Sequence, residues 1–260
     1  GTPERRGDGH ADLTYVYAVA KEIAPILKKY CVVITKSTVP VGTSLEISNI
    51  IKKHNRNASF DVVSNPEFLR EGSAIEDFMR PNRVIIGCEN EKSKNTMENI
   101  YQPLNLIQTP ILFTDLKSAE LIKYASNAFL AMKISFINQM ADLCESLNTD
   151  IHFISRGMGL DKRIGDKFLH PGPGYGGSCF PKDTIALSKI ASDNNVDLSI
   201  INNVISYNKN RKKSLIKKIN HILGNDIKDM SVAVLGLSFK PGTDDMLSLI
   251  HISEPTRQIV

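Results

Sequence analysis

The 260-residue chain has no tryptophan, only 7% aromatic residues and four cysteines, and its 32 basic against 28 acidic residues leave a formal charge of just +4. Each shortage excludes something. No window holds 18 uninterrupted apolar residues, so no membrane-spanning helix is expected. The longest early apolar stretch, Tyr15 to Ala20, is too short for a secretory leader. The one dense basic run, Arg211-Lys212-Lys213 with Lys217-Lys218, lacks interleaved aromatics and is expected to be a solvated helix face, so no nucleic-acid partner is expected. Cys31, Cys88, Cys144 and Cys179 are far apart, without a C-x-x-C pair or a neighbouring histidine pair. That spacing favours no metal site and a reduced, cytoplasmic compartment.

What is present is an alternating pattern. Short, largely apolar runs at Cys31 to Thr35, Phe60 to Val63, Arg83 to Ile86 and Pro110 to Phe113 lack the polar alternation of a half-solvated strand, as expected of strands covered on both faces. Helical spacing over Leu13 to Tyr30 and Val41 to His54 supplies covering layers, which predicts an α/β fold with a parallel sheet over residues 1–114. From Ser118 onward, Ile122, Ala125, Phe129, Met132, Phe136, Met140 and Leu143 recur at steps of three and four without Pro or Gly. This predicts one long helix whose apolar seam seeks other helices or a second copy of the chain. Two further helices are expected near Thr184 to Asn194 and Leu198 to Ile222, completing a helical domain over residues 115–224. Ser231 to Leu237 again has the pattern of a strand closing on a glycine, the start of a second α/β domain over residues 225–246.

The segment richest in chemistry is Gly172-Pro173-Gly174-Tyr175-Gly176-Gly177-Ser178-Cys179-Phe180-Pro181-Lys182-Asp183. Its G-x-G-x-x-G at Gly172, Gly174 and Gly177 is not a dinucleotide fingerprint, because no apolar strand precedes it and Pro173 sits inside. Pro181 suits a helix's first turn, which places Cys179 at a helix N-terminus, where unpaired amides favour thiolate and Lys182 adds positive charge. The four glycines let backbone approach a ligand closely and leave the sulfur open. Asn65 and Pro66 have the chemistry of a helix start, which would set Glu67 and Glu71 on one helix face, either as dipole complements or as functional carboxylates. Lys123 and Asn127 form an i, i+4 pair off the apolar seam, able to hold an oxyanion between two donors or simply to decorate a surface. The loop Lys36-Ser37-Thr38-Val39-Pro40-Val41-Gly42-Thr43 after the first strand suits a phosphate or water contact.

Together these segments resemble the UDP-glucose and GDP-mannose dehydrogenase family. The likeness runs in family order through Ser37-Thr38-Val39-Pro40, Asn65 to Gly72, Pro81 to Gly87, Ala119 to Phe129, Arg163-Ile164-Gly165, the Cys179 segment and Leu235 to Thr243. Pro173, Tyr175 and Phe180-Pro181-Lys182 are most similar to the UDP-glucose branch. The resemblance implies a partial Rossmann-like NAD-binding domain, a central dimerisation domain, and NAD-dependent four-electron oxidation of UDP-glucose to UDP-glucuronate, a donor for surface polysaccharide. It implies that Cys179 forms a thiohemiacetal and then a thioester, and that Lys123 and Asn127 stabilise oxyanions. Glu67 with Asp183 and Thr38 would manage the hydrolytic water. Substrate contacts would come from Glu71, Tyr175, Gly176, Phe239 and Lys240, and from Arg163 reaching a homodimer partner's site. Thr38 and Lys182 would face the cofactor.

Two departures from the family pattern carry expectations of their own. The family opens with a strand and a glycine-rich turn for the NAD pyrophosphate and closes with a UDP-binding domain, so residues 1–260 alone are expected to be inactive. After Met246 the string Leu247 to Arg257 resembles the translation of a sequencing-library adaptor, so residues 247–260 are not expected to be biological, and His251 and Glu254 carry no functional weight. Alternatives are oxidation of another nucleotide sugar such as UDP-N-acetylmannosamine or GDP-mannose, a non-catalytic dimerising module, and a thiol acyltransferase, for which His170 is a poor partner to Cys179.

Overall fold

The computed structural model describes residues 9–224 together with Thr2, Pro3, Arg5, Ser231, Ala233, Leu235 and Thr243. Apart from its three described residues, the expected strand at 231–237 lies outside that set, as do Phe239, Lys240 and the stretch 247–260. The chain forms two compact units, residues 1–126 and 127–260, and their division falls inside a helix.

The first unit runs α1 (Thr14–Ile23), β1 (Cys31–Thr35), α2 (Thr43–His54), β2 (Phe60–Ser64), α3 (Ala74–Met79), β3 (Val84–Gly87), α4 (Glu91–Tyr101) and β4 (Ile111–Thr114), then enters α5 (Leu116–Leu147). The helix expected to reach Tyr30 ends as α-helix at Ile23 and continues as a 3₁₀ turn over Ala24–Ile26, because Pro25 has no N–H to donate and its ring crowds the preceding turn. The four strands lie in sequence order, with β1 parallel to β2 and β3 parallel to β4. Between the two pairs runs an antiparallel seam with the single bridge Ser64 to Gly87. A parallel return from β2 to β3 requires a crossover element that covers the sheet. The short α3 between them buries none of its residues, and the chain instead turns back along the sheet.

Successive strand side chains point to opposite faces. Val62 accordingly joins Ala20, Ala24, Ile47 and Ile51 beneath α1 and α2, while its neighbour Val63 joins Val84, Ile86, Met97 and Tyr101 beneath α4. α4 has no counterpart among the expected helices because its sequence is mostly polar and buries only Ser93, Met97 and Tyr101. It starts where the Asn90 side chain accepts the Ser93 N–H at 2.9 Å.

The second unit holds the rest of α5, then α6 (Ile151–Gly159), the glycine-rich loop, α7 (Phe180–Asp193) and α8 (Ser199–Leu223). α5 has 32 residues, about 48 Å at 1.5 Å per residue. Its buried face is not the expected apolar seam. Ala119, Glu120, Lys123, Tyr124, Asn127, Ala128, Ala131, Ser135, Asn138, Ala141 and Cys144 are buried, whereas Phe129, Phe136 and Leu143 are 56%, 45% and 49% exposed. Small residues let neighbouring segments approach, and the polar ones bond to them, Glu120 and Asn138 to backbone N–H groups and Lys123 and Asn127 to the carboxylates of Glu67 and Asp183. The expected solvated basic run of α8 is corrected in part: Lys212 and Lys213 are exposed, but Arg211 is buried and ion-paired with Asp142. Among the described residues no helix is long and apolar enough to cross a membrane.

Glu120 ties α5 to the start of α2 within the first unit. Gly42, at φ +97°, offers its N–H to Glu120 Oε2 at 2.6 Å, and Ser44 N–H meets Oε1 at 2.8 Å. Burial pushes the Glu120 carboxyl up from its ordinary value of 4.5, against the opposing pull of those amides. A carboxyl raised on folding binds protons more tightly in the folded chain, so its contribution is complete below the unfolded value and declines as pH rises through the folded one. Urea unfolding from about pH 4 to 7 should therefore show wild type losing stability relative to Glu120→Gln as pH rises. A difference independent of pH would refute this.

Candidate active site

β1 and β2 end side by side, Thr35 opposite Ser64, so the loops carrying Thr38 and Glu67 leave the same carboxyl edge, where open α/β sheets bind ligands. Thr38 is half-buried, and its carbonyl accepts the Thr2 hydroxyl at 2.7 Å. The helix expected to start at Asn65 does not form. Asn65 Oδ1 accepts from Lys36 Nζ at 2.9 Å and from the Tyr101 hydroxyl at 2.5 Å, and Nδ2 donates to the Ile85 carbonyl at 2.7 Å. With that side chain committed to the sheet rather than to capping, the next helix waits until Ala74. Glu67 and Glu71 therefore share no helix face. Instead Glu67 Oε2 accepts the Leu69 N–H at 2.6 Å, which closes a local turn.

The other oxygen of Glu67 faces α5. Lys123 Nζ lies 3.4 Å from Glu67 Oε1, with the lysine side chain 4% exposed and the carboxylate 32%. Phe68 completes this cluster, its ring centre 5.2 Å from Lys123 Nζ and 3.9 Å from the Arg83 guanidinium carbon. Burial pushes the Arg83 guanidinium down from its ordinary value. The surface reading of Lys123 is thus overturned: it is a buried cation held by a carboxylate and a π face. Phe68 and Arg83 are additions to the expected site residues, since a stack between positions 15 apart leaves no periodic signal.

A second cluster lies in the second unit. Cys179 is an exposed, free thiol at the N-cap of α7, with Pro181 in the first turn and its carbonyl accepting the Asp183 N–H at 2.9 Å. Its sulfur lies 3.6 Å from the Ser178 hydroxyl. Asp183, buried to 1% exposure, accepts from Asn127 Nδ2 at 2.6 Å and from Lys182 Nζ at 2.7 Å. Lys182 is therefore bonded to Asp183, and Asn127 is buried rather than on the surface. The Tyr175 ring is buried with Ala131 and Val204 and meets Phe180 edge-on at 6.3 Å. Gly176 lies half-buried between it and the cysteine. Arg163 is exposed and bonded to Asp161, which raises the guanidinium above its ordinary value. Among the described residues no group of three or more His, Cys, Asp or Glu side chains could hold a metal ion.

A family model for the NAD binding domain of the UDP-glucose/GDP-mannose dehydrogenase family matches residues 1–105, and the model of that family's central domain matches residues 117–210. A UDP-glucose 6-dehydrogenase of Rhizobium meliloti is 56% identical over 95% of this chain and 57% of its own length, and one of Bacillus subtilis is 51% identical over 95% and 55%. A solved UDP-glucose dehydrogenase from Pyrobaculum islandicum is 39% identical with a TM-score of 0.90, over 95% of this chain and 57% of that one. The chain thus spans little more than half the length of these relatives.

The Glu67–Lys123 pair makes a stability prediction. Glu67→Ala strands a buried ammonium and should destabilise the chain by about 1–3 kcal/mol in urea unfolding. Adding Lys123→Met, which removes the charge, should recover part of that loss. A double variant no more stable than Glu67→Ala would show that the pair contributes nothing.

Proposed function

The chain belongs to the UDP-glucose/GDP-mannose dehydrogenase family, and from that membership we propose that its activity is the NAD-dependent, four-electron oxidation of UDP-glucose to UDP-glucuronate through a cysteine thioester. What carries the proposal is the placement of Cys179, an exposed thiol at the N-terminus of a 14-residue helix whose fourth position on, Asp183, is a buried carboxylate. The cofactor would lie at the carboxyl edge of the parallel strand pair, which the loops carrying Thr38 and Glu67 both leave. Bound NAD+, taken up twice in turn, would accept the two hydrides that leave C6 of the sugar.

The chain's own residues manage the carbon, the oxygen and the protons. Cys179 Sγ adds to the C6 aldehyde carbon while a proton passes to the aldehyde oxygen, forming a thiohemiacetal that becomes a thioester when C6 loses its second hydride and that hydroxyl gives its proton to solvent. Lys123 and Asn127, one turn apart on α5, supply ammonium and amide donors to the oxygen that carries negative charge at each addition. Water then attacks the thioester carbon. Glu67 takes its proton, Asp183 and Thr38 orient it, the C6–S bond breaks, and Sγ leaves as thiolate. Glu71, Tyr175 and Gly176 contribute to the sugar's setting, and Lys182 to the cofactor's.

The same proposal includes a homodimer. Phe129, Phe136 and Leu143 repeat every seven residues along the exposed side of α5, an apolar stripe that a second copy of the helix fits. Arg163, exposed on the same unit, would then serve the partner's substrate.

Two measurements test these statements. In the full-length protein, Cys179→Ser should lower uronate formation about a thousand-fold or more while UDP-glucose still binds; unimpaired acid production would refute the thioester route. Separately, Phe129→Glu with Phe136→Glu should shift the sedimentation coefficient from dimer to monomer without loss of helical circular dichroism. An unchanged dimer would place the interface elsewhere.

A further inference from the structure

The glycine-rich loop ahead of Cys179 is held by three side chains from two helices. The Gly172 N–H donates to Asn138 Oδ1 of α5 at 2.7 Å, and the Gly172 carbonyl accepts from Arg211 Nε of α8 at 3.1 Å. Arg211 is itself fixed by Asp142, whose other oxygen accepts the Tyr207 hydroxyl at 2.7 Å. Three residues on, Asn208 of α8 grips Tyr175 at both main-chain groups: Oδ1 accepts the Tyr175 N–H at 2.8 Å, and Nδ2 donates to the Tyr175 carbonyl at 3.0 Å. Asn208 is buried, so this two-point bond is shielded from competing water.

The loop and Asn208 are fitted to each other. Gly174 sits at φ +127°, and a Cβ there would meet Asn208 Oδ1 at 2.6 Å, so only glycine admits the amide. The Tyr175 ring is anchored in the core by Ala131, Val204 and Phe180, which fixes the chain on the side-chain side as Asn208 fixes it on the main-chain side. Only Gly176, Gly177 and Ser178 then separate a doubly pinned residue from the reactive sulfur.

We propose that Asn208 is a positioning residue for Cys179: by bonding both main-chain groups of Tyr175 it sets where the thiol stands when it attacks the C6 aldehyde. This rests on Cys179 being the nucleophile. Asn208 touches no reacting atom, so its removal acts through Tyr175 and the loop, and it slows the steps that need the sulfur placed more than the first hydride transfer.

The test uses the full-length protein with Asn208→Ala and Asn208→Asp, the latter keeping the acceptor toward Tyr175 N–H while replacing the donor toward its carbonyl. At a temperature where circular dichroism shows both folded, kcat for acid formation should fall about tenfold or more, a larger loss than that in the rate of the first NADH. A second readout does not depend on the reaction. Iodoacetamide labelling, followed peptide by peptide, should change at Cys179 by about threefold relative to Cys31, an exposed thiol in the other unit that serves as reference. Variants that only melt earlier, with kcat and the labelling ratio at wild-type values, would overturn the proposal and leave Asn208 as packing. If wild type makes no NADH but the labelling ratio shifts, the positioning stands and the dehydrogenase assignment fails.

Discussion

A buried polar group must find a partner, and α5 carries a whole face of them. Glu120, Lys123, Asn127 and Asn138 are each buried on this helix, and each is met by a different segment: the start of α2, the loop after β2, the first turn of α7 and the glycine-rich loop. Leaving any of these groups without its partner would cost about 1–3 kcal/mol. The helix therefore dictates where four otherwise irregular connections lie. Those connections carry Glu67 and Cys179 and adjoin the loop of Thr38.

That assignment of faces explains why the apolar seam of α5 is left over. A helix can give one side to polar anchoring and close backbone approach through Ala119, Ala128, Ala131 and Ala141. Leu116, Tyr124 and Ile137 are buried with them, whereas Phe129, Phe136 and Leu143 lie on the other side and are about half exposed among the described residues. The polar anchoring and the exposed apolar stripe are consequences of one sequence read on two faces. α8 makes a similar division, with Asn208 and Arg211 turned to the loop and Lys212 and Lys213 turned outward.

All four strands were legible from sequence because their apolar runs are short, β-branched and bounded by turn residues, and the strands fall within a residue of the runs themselves. Three long helices, α5, α7 and α8, were legible for the same kind of reason, since periodicity and the absence of Pro and Gly are local properties. α4 and α6 were not, because the first is mostly polar and the second buries no residue on which a pattern could rest. The likeness of motifs in order singled out Cys179, Lys123, Asn127, Glu67 and Asp183 without any knowledge of their contacts.

What tertiary structure alone decided is who bonds to whom. Lys123 looked like a surface residue because its partners, Glu67 and Phe68, lie more than fifty positions away. Asn65 looked like a helix cap because the groups that claim it, Lys36, Tyr101 and the Ile85 carbonyl, lie 29, 36 and 20 positions away. Asn208 had no signal at all, since nothing in α8 records that Gly174 leaves room for its amide. Sequence determined the elements and the reactive residue types, which depend on local chemistry. The pairing of buried charges and the pinning of the cysteine loop depend on distances that exist only once the chain has folded.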